Sequence, residues 1–148
     1  MIGLSNIYIE NLIRSVVKSN TYEGVFSSDN IPNILHNKKF SFICNLSPEN
    51  TIGSHFIAIT KQDNILTIWD SLNLKVNKYP RDLQEYIKKN ICRYGYRKKI
   101  KDEQSVFCGF YCILNVLKFH SSKNINFIKF TSPTVNDEIC IKNILLLL

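Results

Sequence analysis

The chain has 148 residues, 45% of them hydrophobic, which suits one compact domain with its own core. Five irregularly spaced cysteines with no Cys-x-x-Cys pair do not form a disulfide framework, and three histidines give a closed zinc site little support. The net charge of +7 is unevenly placed: residues 75–101 hold ten Lys/Arg against Asp82 and Glu85, while the remaining 121 residues carry a net of −1.

From the N-terminus, there is no basic-then-apolar leader, and Ser5 is placed to cap a helix running through Ser19 with Ile9, Leu12, Ile13, Val16 and Val17 as its buried face. Residues 20–32 read as a turn-rich connection closed by Ile31-Pro32. Residues 39–46 alternate as a strand, with Phe40, Phe42 and Cys44 set against Ser41, Ile43 and Asn45. A polar loop over 47–53 leads to two apolar, β-branched runs, 54–60 and 65–70, separated by Lys61-Gln62-Asp63-Asn64, which signals a hairpin. Pro80 opens a helix through Lys89, with Leu83, Tyr86 and Ile87 inward. Residues 91–101 suit a basic, aromatic strand at a sheet edge, where lysine also discourages edge-to-edge association. Residues 124–133 are irregular, and 135–148 form a final helix whose apolar end, 139–148, is too short to span a bilayer. No membrane segment, a monomer and a reducing intracellular setting are therefore expected.

Between these lies Gln104-Ser105-Val106-Phe107-Cys108-Gly109-Phe110-Tyr111-Cys112. From Cys108 the apolar residues recur at helical spacing, so a mostly buried helix begins there. A cysteine in a first turn feels unpaired N–H groups and the positive end of the helix dipole, and both favour thiolate. Gly109 would leave room for a substrate backbone, and the Cys108 N–H for an oxyanion. The alternative is a structural cysteine on a core helix, and Cys44, Cys92, Cys112 and Cys140 read as such buried or idle thiols.

The hairpin decides between them. If residues 61–64 close it, Thr60 faces Ile65, Ile57 faces Ile68, Phe56 faces Trp69 and His55 faces Asp70. Opposed residues share a face with Cβ atoms roughly 4.5–5.5 Å apart, so the imidazole and carboxylate are placed to pair. A carboxylate on one imidazole nitrogen leaves the other free to take a proton from a thiol. A one-residue slip would separate them onto opposite faces. A His–Asp pair that merely closes a strand end is the plainer alternative.

His55, Asp70 and Cys108 in this order, with a Gln just before the Cys, resemble the clan of cysteine proteases that includes the adenovirus maturation protease (adenain) and the Ulp1-type SUMO and ubiquitin-like proteases. Gly53-Ser54-His55-Phe56 is similar to the adenoviral Gly-x-His-Trp segment, and Cys108-Gly109-Phe110-Tyr111-Cys112 to its Cys-Gly-x-Phe-Cys helix start. Trp69-Asp70-Ser71-Leu72 is closer to the Ulp1 style. The likeness covers roughly residues 7–119. It implies an α+β papain-like, Ulp1-like fold, a mixed β-sheet packed against a central nucleophile helix, in one domain over 1–148. It also implies Cys108 as nucleophile, His55 as base, Asp70 as the orienting group, and Gln104 as side-chain oxyanion donor, on a shorter connection than the family's. The implied activity is a thiol endopeptidase on protein substrates, cleaving viral precursors during virion maturation in the host nucleus and virion. The alternatives are an isopeptidase removing ubiquitin or SUMO-type modifiers, and a non-catalytic nucleic-acid-binding domain.

No cofactor is required by the sequence. The adenoviral members are stimulated by DNA and by a viral peptide held through a disulfide, for which Cys92 is a conceivable counterpart. Lys88, Lys89, Arg93, Arg97, Lys98, Lys99 and Lys101, interleaved with Tyr94 and Tyr96, are the expected phosphate contacts, with the tyrosines stacking on bases. A solvated lysine-rich face explains the same run without a ligand.

Overall fold

Strand alternation sorts the apolar residues onto two faces, and helices cover both. The computed structural model of the chain describes residues 4–32, 39–47 and 55–148. Within them, α1 (Asn6–Val16) is followed by β1 (Tyr22–Ser27), β2 (Phe40–Asn45), β3 (Phe56–Gln62), β4 (Ile65–Trp69), α2 (Arg81–Lys88), β5 (Cys92–Tyr94), α3 (Cys108–His120) and α4 (Asn136–Leu147). The strands form one mixed sheet in the order β1-β2-β3-β4-β5. The two outer pairs are parallel and the inner two antiparallel. The protein is thus α+β, a five-stranded mixed sheet between helices.

On one face, Phe40, Phe42, Cys44, Ile57, Ile59, Leu66 and Ile68 pack against Leu83 and Ile87 of α2 and against Tyr79. On the other, Ile43, Phe56 and Ala58 meet Ile9 and Ile13 of α1 and the Tyr111, Cys112 and Val116 side of α3, with Ile144 of α4 behind. Each fully buried isoleucine here is worth about 1.5–3 kcal/mol in transfer terms. Helix α3 is buried on nearly every side, which is why its sequence is apolar almost throughout rather than striped.

Ser5 caps α1 as expected, its Oγ accepting from the Tyr8 amide at 3.2 Å. The helix stops at Val16, which is exposed, so the buried stripe is Ile9 and Ile13, with Val17 at the cap. Segment 20–32 is not simply a connection. Residues 22–27 form an edge strand beside β2, with a register irregularity between Tyr22 and Val25. Gly24 sits there at φ +124°, a backbone conformation open to glycine and strained for other residues. The basic segment contributes a shorter strand than expected, three residues long and parallel to β4. Most of the loop expected over 47–53, with the glycine and serine before His55, lies outside the described residues.

The hairpin register differs from expectation by two. Its turn is Asp63-Asn64 alone, with φ of 52° and 67°. Both values belong to the left-handed region that a two-residue hairpin turn needs and that Asp and Asn tolerate. The strands therefore extend to Gln62 opposite Ile65, and Ala58, not Phe56, faces Trp69. A shift of two preserves which side chains share a face. Continued outward, this register places Asp70 level with Ile57 and His55 two residues further out, so the pair meets diagonally.

Candidate active site

The site lies where β3 begins, β4 ends and α3 begins. Asp70 follows the last residue of β4, and its carboxylate organises the turn after it. Oδ1 accepts from the Leu72 amide at 2.9 Å, and Oδ2 accepts from the Leu74 amide at 3.1 Å and the Tyr79 hydroxyl at 2.8 Å. With these partners the carboxylate is 1% exposed, the degree of satisfaction a buried charge requires. His55, immediately before β3, donates from Nε2 to Asp70 Oδ1 over 2.6 Å.

That bond leaves Nδ1 for the third partner. Cys108, the first residue of α3, lies beside the His55 imidazole and the Phe56 amide, both of which act on its sulfur. Burial by itself would raise the Cys108 thiol. The hydrogen bond and charge of His55, the Phe56 amide and the nearby Lys101 ammonium outweigh it and hold Cys108 below the ordinary thiol range. Burial alone would pull His55 down, but its bonds and charge interactions with Asp70 and Cys108 raise it to about 9. Burial would raise Asp70, yet His55, Tyr79 and the Leu72 amide keep it below the usual carboxylate range. Lowering the thiol while raising the imidazole moves the pair toward thiolate and imidazolium, beside a carboxylate.

The other four cysteines move the opposite way. Burial pushes Cys44 up to about 12 and raises Cys92, Cys112 and Cys140. Cys112 lies one turn beyond Cys108 on the same helix, wholly within the core. All five thiols are free. Cys92 lies on the edge strand β5 with its thiol turned to the Ile87 carbonyl.

Three expectations near Cys108 and in the basic run need correction. A Cβ on Gly109 would stand 3.0 Å from Ile9 Cδ1 and 3.4 Å from Leu4. The glycine therefore serves the close approach of α1 to α3, not a substrate. Lys101, counted among the phosphate contacts, is 2% exposed, and its Nζ donates to the Asp102 and Ser105 carbonyls at 3.0 and 2.8 Å. It cannot reach a polyanion from there. Tyr96 is likewise unavailable for stacking on bases: it packs edge-on to Trp69 and Phe130, and its hydroxyl accepts from Asn115. Lys88, Lys89, Arg93, Arg97, Lys98 and Lys99 are exposed, as is Tyr94.

Gln104 is exposed on the turn before α3, with its backbone N–H on Asp102 Oδ1 at 2.9 Å. Sequence reasoning missed Tyr79, the donor that fixes the far side of Asp70, and the support behind Cys108. There, Ser105 Oγ donates to Asp137 Oδ2 at 2.7 Å and accepts from the Phe107 amide at 3.1 Å, and Tyr111 donates to Asp137 Oδ1 at 2.8 Å. No spacing rule marks these residues; they are assembled by tertiary packing.

Among the described residues, no group of three or more His, Cys, Asp or Glu is placed to hold a metal ion, and no helix is long and apolar enough to cross a membrane. No protein-family model matches the chain, and no curated protein matches it.

Proposed function

We propose that the protein is a cysteine endopeptidase with a papain-like, Ulp1-like arrangement, acting on polypeptide substrates through Cys108, His55 and Asp70. The observation that carries this is the 2.6 Å His55–Asp70 hydrogen bond with Cys108, at the start of a buried helix, under the influence of the same imidazole. A His–Asp pair alone closes many strand ends. A cysteine held below its ordinary range by that same histidine has no structural purpose that a serine or alanine would not serve.

The Cys108 thiolate adds to the scissile carbonyl carbon, and the carbonyl oxygen becomes an oxyanion. The Cys108 N–H, unpaired by its position in the first turn, and the Gln104 side chain are its donors. The C–N bond then breaks as the His55 imidazolium gives its Nδ1 proton to the leaving amine, and a thioester remains on Cys108. Water, losing a proton to the now neutral His55, hydrolyses the thioester and restores the ion pair. Asp70 keeps the ring in one tautomer and orientation throughout.

The biological setting we infer is the maturation of viral precursor proteins in the host nucleus and virion, with the exposed cations of 88–99 as a contact for DNA that concentrates enzyme and substrate. The test is cleavage of candidate viral precursors and of ubiquitin- and SUMO-type fusions, with and without DNA, by wild type and Cys108→Ala. Cleavage of precursors by wild type only is the expected result. Cleavage confined to modifier fusions would make the protein an isopeptidase, and cleavage that survives in the alanine variant would remove Cys108 from the chemistry.

A further inference from the structure

The buried lysine behind the site is unexplained by the chemistry above. Taking an ammonium out of water is costly unless it is paired or fully hydrogen-bonded. Lys101 meets that condition in an unusual way, with two backbone carbonyls, of Asp102 and Ser105, as its acceptors. Those carbonyls belong to the turn that leads into α3. The Lys101 amide and its neighbour, the Ile100 amide, both donate to the Ser71 carbonyl, at 3.1 and 3.0 Å. Ser71 is the residue after Asp70. One residue thus ties the turn after the acid to the turn before the nucleophile, and Ser105 in the second turn carries the Phe107 amide and Asp137. Neutral side chains would suffice for tethering alone. A methionine or leucine packed there would avoid the desolvation cost, so the charge itself calls for a use.

We propose, resting on the reading of Cys108 as a thiolate nucleophile, that Lys101 is a positioning residue of this centre: it fixes the 102–105 turn against the start of α3 and sets a buried positive charge behind the sulfur. The charged and titratable groups that act on it are Cys108, Asp137, Asp102 and Asp70. Burial is the largest influence and holds Lys101 below the ordinary lysine range, against these four groups and the two carbonyl acceptors, which favour the ammonium. The sulfur in turn is acted on by His55, the Phe56 amide and Lys101. The imidazolium exchanges protons during turnover, whereas Lys101 touches no reacting atom and keeps its charge through the cycle. When His55 has given its proton to the leaving amine, Lys101 still favours the thiolate as leaving group in thioester hydrolysis.

The test reads the thiol directly and needs no substrate. Alkylation of Cys108 by iodoacetamide is followed by peptide mapping across pH in wild type, Lys101→Met, Lys101→Gln and Lys101→Arg, with circular dichroism to establish folding. The two neutral variants should react roughly tenfold more slowly near pH 6 and equally fast above pH 10, as loss of one nearby charge predicts. Lys101→Arg should retain most of the wild-type profile. An unchanged profile in a folded neutral variant reduces Lys101 to a tether and overturns the proposal.

Should both neutral variants fail to fold, the wild type supplies the reciprocal measurement. The Lys101 Nζ titration is followed by NMR before and after Cys108 is capped with iodoacetamide. Capping removes the thiolate charge and should lower the Lys101 midpoint; no movement overturns the proposal. A protein that cleaves nothing yet shows these shifts leaves Lys101 in place and defeats only the peptidase reading. One that cleaves without them defeats Lys101 alone.

Discussion

The sheet end at His55 and Asp70 and the basic edge from 88 to 99 are the two charge-rich regions of the molecule, and they handle charge in opposite ways. At the sheet end Asp70, His55 and Cys108 are all buried, Asp70 and His55 have partners at hydrogen-bond distance, and neighbouring groups shift the protonation of all three. At the edge, six cations stand in water. Their ion pairs are of the exposed helical or local kind, Lys88–Glu85 at 3.5 Å and Lys99–Glu103 at 3.3 Å, each worth about 0–1 kcal/mol. The difference lies in desolvation rather than in the number of charges. A buried charge must have a fixed partner, and a fixed partner gives it a direction and a reactivity; an exposed charge answers to salt. Lys101 belongs to the basic run by sequence and to the buried turn before Cys108 by structure.

The comparison is broken most severely by removing members of the buried set. Cys108→Ala and His55→Ala should each lower kcat by at least about 10³-fold, and Asp70→Asn by roughly two orders of magnitude less than His55→Ala, since it orients the base without transferring the proton. Steady-state kinetics on a cleaved precursor peptide measures all three. Activity should rise with pH as Cys108 deprotonates below the ordinary thiol range and fall as the His55 imidazolium is lost near 9.

Next in size, Gln104→Ala should cost about 10²–10³-fold in turnover if its side chain is an oxyanion donor. Near-normal turnover would assign that role to backbone N–H groups. A structural test follows at the junction of the two regions, where Gly95 lies flat against Trp69. A Cβ there would fall 2.2–2.5 Å from the indole ring. Gly95→Ala should therefore cost about 1–3 kcal/mol by displacing Trp69, read from the urea midpoint. Equal stability would show that the indole can shift freely.

The smallest effect on folding belongs to the edge. Changing Arg97, Lys98 and Lys99 together to Glu should move stability by about 0.5 kcal/mol per site or less. DNA binding by the wild type should weaken with salt at a slope of about 0.9 for each phosphate neutralised, and the Glu variant should lose it. Salt-insensitive binding, or none lost in the variant, would leave these residues as a solubilising edge.

How much of this was legible in the sequence depended on whether the signal was local. The start of α3 at Cys108 and the capped α1 follow from helical spacing and from Ser5. The shared face of His55 and Asp70 survived an error in the turn, because moving the register by two residues keeps side-chain parity. Asp63-Asn64 is a turn that two positive φ angles allow, and reading four residues instead of two cost accuracy but not the pairing. Strand β1 was hidden because Gly24 and the Asp29–Pro32 stretch outweighed the apolar Tyr22, Val25 and Phe26. Lys101 and Tyr96 were misplaced for a different reason: burial of a lysine or tyrosine is decided by acceptors distant in sequence or by ring packing, which composition does not display. Asn136 and Asn143 behave likewise. Their side-chain amides bond the Thr131 amide and Ile100 carbonyl, and both backbone groups of Ile128, holding the irregular 124–133 segment in place.

The central claim is that Cys108 is a thiolate because His55, itself held by Asp70, makes it one. The most direct measurement is the pH dependence of iodoacetamide alkylation at each of the five cysteines, in wild type and His55→Ala. Cys108 should react fastest, with a midpoint below the ordinary thiol range that moves up when His55 is removed, while Cys112 stays unreactive in the folded protein. A Cys108 that titrates as an ordinary thiol, or whose profile is unchanged in His55→Ala, would contradict the account.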